Sequence, residues 1–176
     1  MRYRRADVKG GTYFFTVNLA NRNHSFLVDE FDKLRTAFNL IKQKHPFILD
    51  ALVVLPEHIH TIWTLPPNDN NFSMRLGLIK SNFSRLLPKV ESISTSRQSK
   101  GERGIWQRRY WEHLIRNEED YQRHIDYIHY NPVKHGYVKR AVDWKYSTIH
   151  DYIKKDIISS GWGGDYVDEQ VDNFGE

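Results

Sequence analysis

Apolar and polar positions change their period several times along this chain, and each change marks an element. Residues Thr12-Tyr13-Phe14-Phe15-Thr16-Val17-Asn18-Leu19 are β-branched and aromatic and follow the turn signal Gly10-Gly11, which predicts a first strand. From Asp29 to Lys44 the residues Phe31, Leu34, Phe38 and Ile41 recur at helical spacing, and Pro46 stops the pattern. Phe47 to Leu55 is a near-continuous apolar run holding one Asp; Pro56-Glu57 interrupts it, and His58 to Leu65 alternates until Pro66-Pro67. Two strands in an antiparallel hairpin are expected there. Ser73 to Leu87 carries the stripe Leu76, Ile79, Phe83, Leu86 and Leu87, a second helix with Ser73 placed as N-cap. Residues 88 to 104 are Ser-rich and nearly devoid of apolar side chains, which predicts a mobile loop or linker within the domain. Trp106 to Ile115 reads as a fourth strand. Asn117 with Asp120 three residues later resembles a capping box, opening a helix that is expected to stop at Asn131-Pro132. A short helix around Ser147 to Lys155 follows. The fold class implied is α+β: a single domain in which helices pack on a small antiparallel sheet.

Length and composition narrow the chemistry. The 176 residues make about one domain. The chain has no cysteine, which removes disulfide scaffolds, zinc ribbons and thiol nucleophiles, so any metal must use His, carboxylate or amide ligands. No apolar run approaches the ~20 residues of a membrane span, and the start MRYRRADVKG lacks a secretory apolar region, so a cytoplasmic chain with no membrane partner is expected. The net charge of +4 hides an asymmetry. Residues 164–176 hold five of the 22 acids and no base, which leaves residues 1–162 with 26 bases against 17 acids, or +9. A body so basic suits an anionic polymer such as nucleic acid, and the acidic tail either covers that basic surface or stays solvated.

The candidate chemistry begins at Pro56-Glu57-His58-Ile59-His60. Strand period puts His58 and His60 on one face, with Ile59 and Thr61 on the other, and two neutral imidazoles so placed form half of a divalent-metal site. Ile62 stands where an HxHxH hydrolase strand would need its third His. In the helix opened by Asn117, Tyr121, Ile125 and Ile128 make a core stripe; His124, Tyr127 and Asn131 are expected on the opposite side, with Tyr127 and Asn131 one turn apart. Arg108-Arg109-Tyr110-Trp111 interleaves bases with aromatics, as single-strand grooves do. Tyr3-Arg4-Arg5 could serve as a DNA-reading arm, and Lys134-His135 with Lys139-Arg140 extends the positive surface. His113 and His129 read as hydrogen-bonded structural residues.

A basic chain with a His pair, a helical Tyr and an amide one turn later resembles the HUH single-strand endonucleases, Ile59 being the bulky apolar residue between the two histidines. More specifically, Tyr3-Arg4-Arg5, the strand Gly10 to Asn18, Val53 to His60, Ile105 to His113 and Asp126 to Gly136 resemble, in order, the REP-associated tyrosine transposases, single-tyrosine relatives of the transposases of the smallest bacterial insertion sequences. The likeness covers most of residues 3–162. It implies a ferredoxin-like or RRM-like HUH domain over 1–162, ahead of an acidic tail over 163–176. It also implies a nuclease that cuts single-stranded DNA at the foot of palindromic repeat hairpins and rejoins strands. By position, Tyr127 is the nucleophile, and His58, His60 and Asn131 are ligands for Mg2+ or Mn2+. DNA contacts fall to Tyr3, Arg4, Arg5, Arg108, Arg109, Trp111, Lys134 and Lys139. The partner implied is single-stranded DNA with a hairpin, bound by a monomer or a homodimer. A rolling-circle initiator or relaxase is the alternative enzyme, and a hairpin binder that no longer cuts is the alternative of another class. The Ser-rich insert and the acidic tail depart from the family pattern.

Overall fold

A computed structural model describes residues 7–89 and 91–164 of the chain. Four antiparallel strands, β1 (Thr12–Asn18), β2 (Ile48–Val54), β3 (His58–Thr64) and β4 (Trp111–Leu114), form one sheet in the order β2-β3-β1-β4. The helices are α1 (Phe26–Asp29), α2 (Phe31–Lys44), α3 (Phe72–Leu86), α4 (Thr95–Gln98), α5 (Glu118–Lys134) and α6 (Ile149–Lys154).

Both faces of the sheet are covered, which is why its central strands are apolar on both sides. Tyr13, Phe15, Val17 and Trp63 meet Leu34, Phe38 and Ile41 of α2 and Leu76, Ile79 and Phe83 of α3. Phe14, Ala51, Val53 and Ile62 meet Ile125, Tyr127 and Ile128 of α5 on the other face. The free edge of β2 is sealed by the segment before α6: Val54 N donates to Tyr146 O at 2.9 Å and Thr148 N to Leu52 O at 2.9 Å. Buried Arg75 ties the start of α3 to the turn after α2, donating to the His45 and Pro46 carbonyls and to Asp69.

Four local expectations are corrected. The N-cap of α3 is Asn71, whose side chain accepts from Met74 N; Ser73 lies inside the helix and bonds Tyr110 Oη instead. The fourth strand is only Trp111–Leu114. Upstream, the Trp106 ring packs on Phe83 and its Nε1 donates to Lys80 O, which turns the chain toward α3 and leaves a single bridge between Leu19 and Trp106. The Ser-rich segment is anchored by Arg103, which donates to Glu91 at 2.5 Å and to the Leu87 carbonyl at 2.8 Å, and it carries α4.

Finally, α5 runs through Asn131-Pro132 to Lys134 and ends in a Schellman turn. Tyr137 N donates to Pro132 O, Gly136 N donates to Val133 O, and Gly136 takes φ +73°. Proline forfeits one helical hydrogen bond but keeps a compatible φ, so packing on the sheet carries the helix past it. At its start, Asn117 Oδ1 accepts from Asp120 N, while Asp120 Oδ2 accepts from Arg116 N, one residue before the place a capping box would use. Among the described residues, no helix is long and apolar enough to cross a membrane.

Candidate active site

His58 and His60 point from β3 to the α5 side, as the strand period requires, and both are fully buried. Their ring centroids lie 4.7 Å apart with planes at 79°. Each ring is oriented through Nδ1. His58 Nδ1 lies 2.9 Å from Glu57 Oε1, and Arg22 holds the same oxygen at 3.3 Å. A carboxylate can only accept, so Nδ1 carries the proton and Nε2 keeps its lone pair. That Nε2 is buried and has no hydrogen-bond partner among the described residues, so its chemistry fits a metal ligand. His60 Nδ1 lies 2.9 Å from Thr16 Oγ1, its neighbour across β1. Burial opposes ionisation of Glu57, but the hydrogen bond from His58, with help from Arg22, outweighs it and holds the carboxyl at about 2.

Helix α5 lays its polar residues over this pair. The Tyr127 ring centroid is 5.1 Å from that of His60 and Lys134 Nζ is 4.9 Å from the Tyr127 ring; Tyr127 and Asn131 are both fully buried. Phe14 packs against both, 5.6 Å from His60 and 6.0 Å from Tyr127. The expected division of α5 into opposite core and active faces is therefore corrected. His124, Ile125, Tyr127, Ile128 and Asn131 are all buried, because the helix lies across β2 and β3 and the active residues share its packed side.

The DNA-contact candidates divide. Trp111 is partly buried and shares a sheet row with His60, both paired across Thr16. Lys134 stands over Tyr127, whereas Arg109 and Lys139 are exposed away from the strands. Arg108 turns to the far side, paired with Glu102 at 2.9 Å. Tyr3, Arg4, Arg5 and the tail from Asp165 lie outside the described residues. His129 is buried against Thr148 Oγ1, and burial, with His150 nearby, pushes it down to about 3, as befits a neutral structural residue.

Sequence reasoning missed two participants, Glu57 and Thr16, and read a third, His135, only as part of the positive surface. Glu57 could have been found as the carboxylate beside His58; Thr16 needed the strand register; His135, its ring 5.3 Å from His58, needed the helix end. A further His/Asp/His group, His113, Asp120 and His124, could hold a metal ion by residue type, its ligand atoms lying within 4.8 Å of one another. As placed, it ties β4 to α5: His113 Nε2 lies 2.8 Å from Asp120 Oδ2, and the two imidazoles stack at 4.7 Å and 15°.

No family model matches the chain. A Haemophilus influenzae protein named as a REP-associated tyrosine transposase is 47% identical over 163 residues, covering 92% of this chain and 93% of its own length. An Escherichia coli REP-associated tyrosine transposase is 46% identical over 166 residues, covering 94% and 93%. The chain belongs to the REP-associated tyrosine transposases. A solved structure of a REP-associated tyrosine transposase bound to a REP hairpin superposes on this transposase with a TM-score of 0.83 at 44% identity, covering all of this chain and 97% of the other. As a member of that family it is an enzyme.

Proposed function

We propose that this transposase cleaves and rejoins single-stranded DNA at the foot of a palindromic repeat hairpin, with Tyr127 as nucleophile. The observation that carries the reading is the convergence of His58, His60 and Tyr127 between β3 and α5, with Asn131 buried one helical turn beyond Tyr127. The hairpin held by the similar solved structure supports the substrate class. The +9 body supports a polyanionic partner.

Tyr127 Oη attacks the scissile phosphorus, the bond from phosphorus to the 3′-oxygen breaks, and the phenolic proton is replaced by the 5′-phosphoryl group. The 3′-oxygen leaves as a hydroxyl, and its return, or attack by another 3′-hydroxyl, reverses the step without an energy source. Lys134 sets a positive charge beside the phenol and so favours loss of its proton as the bond to phosphorus forms. His58 through Nε2, His60 and Asn131 would hold Mg2+ or Mn2+, which supplies polarisation and orientation of the phosphate when bound. Because Tyr127 is fully buried, DNA entry requires movement of the groups that cover it.

The rolling-circle initiator or relaxase alternative, in which a second tyrosine often serves, finds no support in α5. Tyr121 is turned to Asp50, its hydroxyl 3.4 Å from Oδ1, and burial with that carboxylate pushes its phenol far up. Tyr130 packs edge-on to Trp162. The test is a labelled hairpin oligonucleotide run on a denaturing gel. Wild type is expected to form a covalent adduct, and Tyr127→Phe to form none while binding the hairpin with near wild-type affinity. Equal nicking by both proteins would point to hydrolysis by metal-bound water.

A further inference from the structure

A cavity of about 750 Å3 opens between α3 and residues 97–108, on the side of the sheet away from Tyr127. That volume falls within the range of built ligand sites. Of its lining residues, six are Lys or Arg and one, Glu102, is acidic. The acid is already shared: Arg108 holds it at 2.9 Å and Arg97 at 3.7 Å. Lys80 forms the inner wall, its Nζ donating to Gln107 O at 2.7 Å, while Arg85 and Lys89 stand exposed at the mouth.

The wall also connects to the active site. Gln107 N donates to Asn18 O at 3.0 Å, and Asn18 is the strand partner of His58. Two strand spacings, about 10 Å, therefore separate the Gln107 backbone from that of His58. The cavity opens on the opposite face, so a DNA strand that occupies both sites passes round the sheet edge at Gln107.

We infer that this cavity is a second DNA subsite, which takes a backbone phosphodiester of the bound strand outside the cleavage centre through Lys80, Arg85 and Lys89. The inference rests on the proposed action on DNA. Clustered cations in a concave, partly desolvated wall focus positive potential, and an anion entering it relieves their mutual repulsion. Lys80 reports that strain: burial, and then the charge of Arg97, lower its ammonium to about 8. Arg108, counted from the sequence among the DNA contacts, thereby stands on the cavity side.

The test is binding of a labelled hairpin oligonucleotide to the full chain across a salt series, with single-turnover cleavage measured at saturating DNA. Arg85→Gln/Lys89→Gln alters only exposed positions, so its fold is not at risk; Lys80→Met probes the wall; Lys154→Gln/Lys155→Gln removes the same charge from α6. The first two variants are expected to lose affinity several-fold at low salt and to flatten the slope of log K against log salt by about 0.7 to 0.9 per lost contact, with the single-turnover rate retained. The α6 variant is expected to keep the wild-type slope. Unchanged slopes for both cavity variants, or equal flattening by the α6 variant, would overturn the subsite while leaving DNA cleavage standing. Titration with inorganic phosphate that saturates the cavity without weakening hairpin binding would assign it to a free anion and overturn it too. Failure of the wild type to bind the hairpin would instead remove the DNA reading on which it rests.

Discussion

Glu57 precedes His58 in the chain and fixes its ring, so the two act as one unit. The carboxylate holds the proton on Nδ1 and makes Nε2 a better donor to a cation, the arrangement by which a buried carboxylate commonly tunes a ligating imidazole. Glu57→Gln keeps a hydrogen-bonding group but loses the charge. It is expected to weaken the apparent affinity for Mn2+ in the cleavage assay by ~10- to 100-fold, with the maximal rate largely recovered at high metal and hairpin binding in chelator unchanged. A loss of rate that added metal does not repair would assign Glu57 to another role. Thr16 plays the corresponding part for His60 with a weaker partner, since a hydroxyl can donate or accept.

Helix α5 delivers Tyr127 and Asn131 only if both of its ends are held. At the start, the Asn117 cap and the Asp120 carboxylate, which also engages His113, fasten it to β4. At the end, Gly136 at φ +73° closes the Schellman turn just past Lys134. A Cβ at Gly136 would meet nothing within 4 Å, so the cost of Gly136→Ala is one of backbone conformation alone. That substitution is expected to destabilise by about 1 to 2 kcal/mol in urea denaturation. It is also expected to slow cleavage more than it weakens hairpin binding, because the last turn carries Asn131 and Lys134. A change within about 0.3 kcal/mol would show that the turn readily adopts another closure.

Over the whole molecule, positive charge gathers in residues 1–162, and part of it is gathered at a cost to the fold. Lys80 is the clearest case. Burial foremost, then Arg97, lowers it from 10.5 to about 8, with Glu102 working the other way. Below pH 8 the group is protonated in both folded and unfolded chains, and the cost of holding it is complete. Between about pH 8 and 10.5 the unfolded chain binds more protons than the folded one, so stability rises with pH. Wild type is therefore expected to gain stability relative to Lys80→Met across that window, as read by urea midpoints at each pH. A constant difference would mean that water reaches the ammonium freely.

The strands, the long helices and the pairing of His58 with His60 were legible because each follows from a period, two in β3 and 3.6 in α2, α3 and α5, that local stereochemistry enforces. The family was legible because its separated blocks stand in order along the chain. Boundaries were less so. Asn131-Pro132 signals a stop in local terms, yet the apolar face of α5 and the glycine beyond it prolong the helix by three residues. Trp106 to Tyr110 has strand composition, but Trp106 finds more to bury against Phe83 than a strand edge offers. The Thr16 support for His60, the clasp of His113 with Asp120 and His124, and the basic cavity joining α3 to a segment some twenty residues later each depend on which positions meet across space. A period fixes which way a side chain faces; only the packed sheet and its register decide what it meets there.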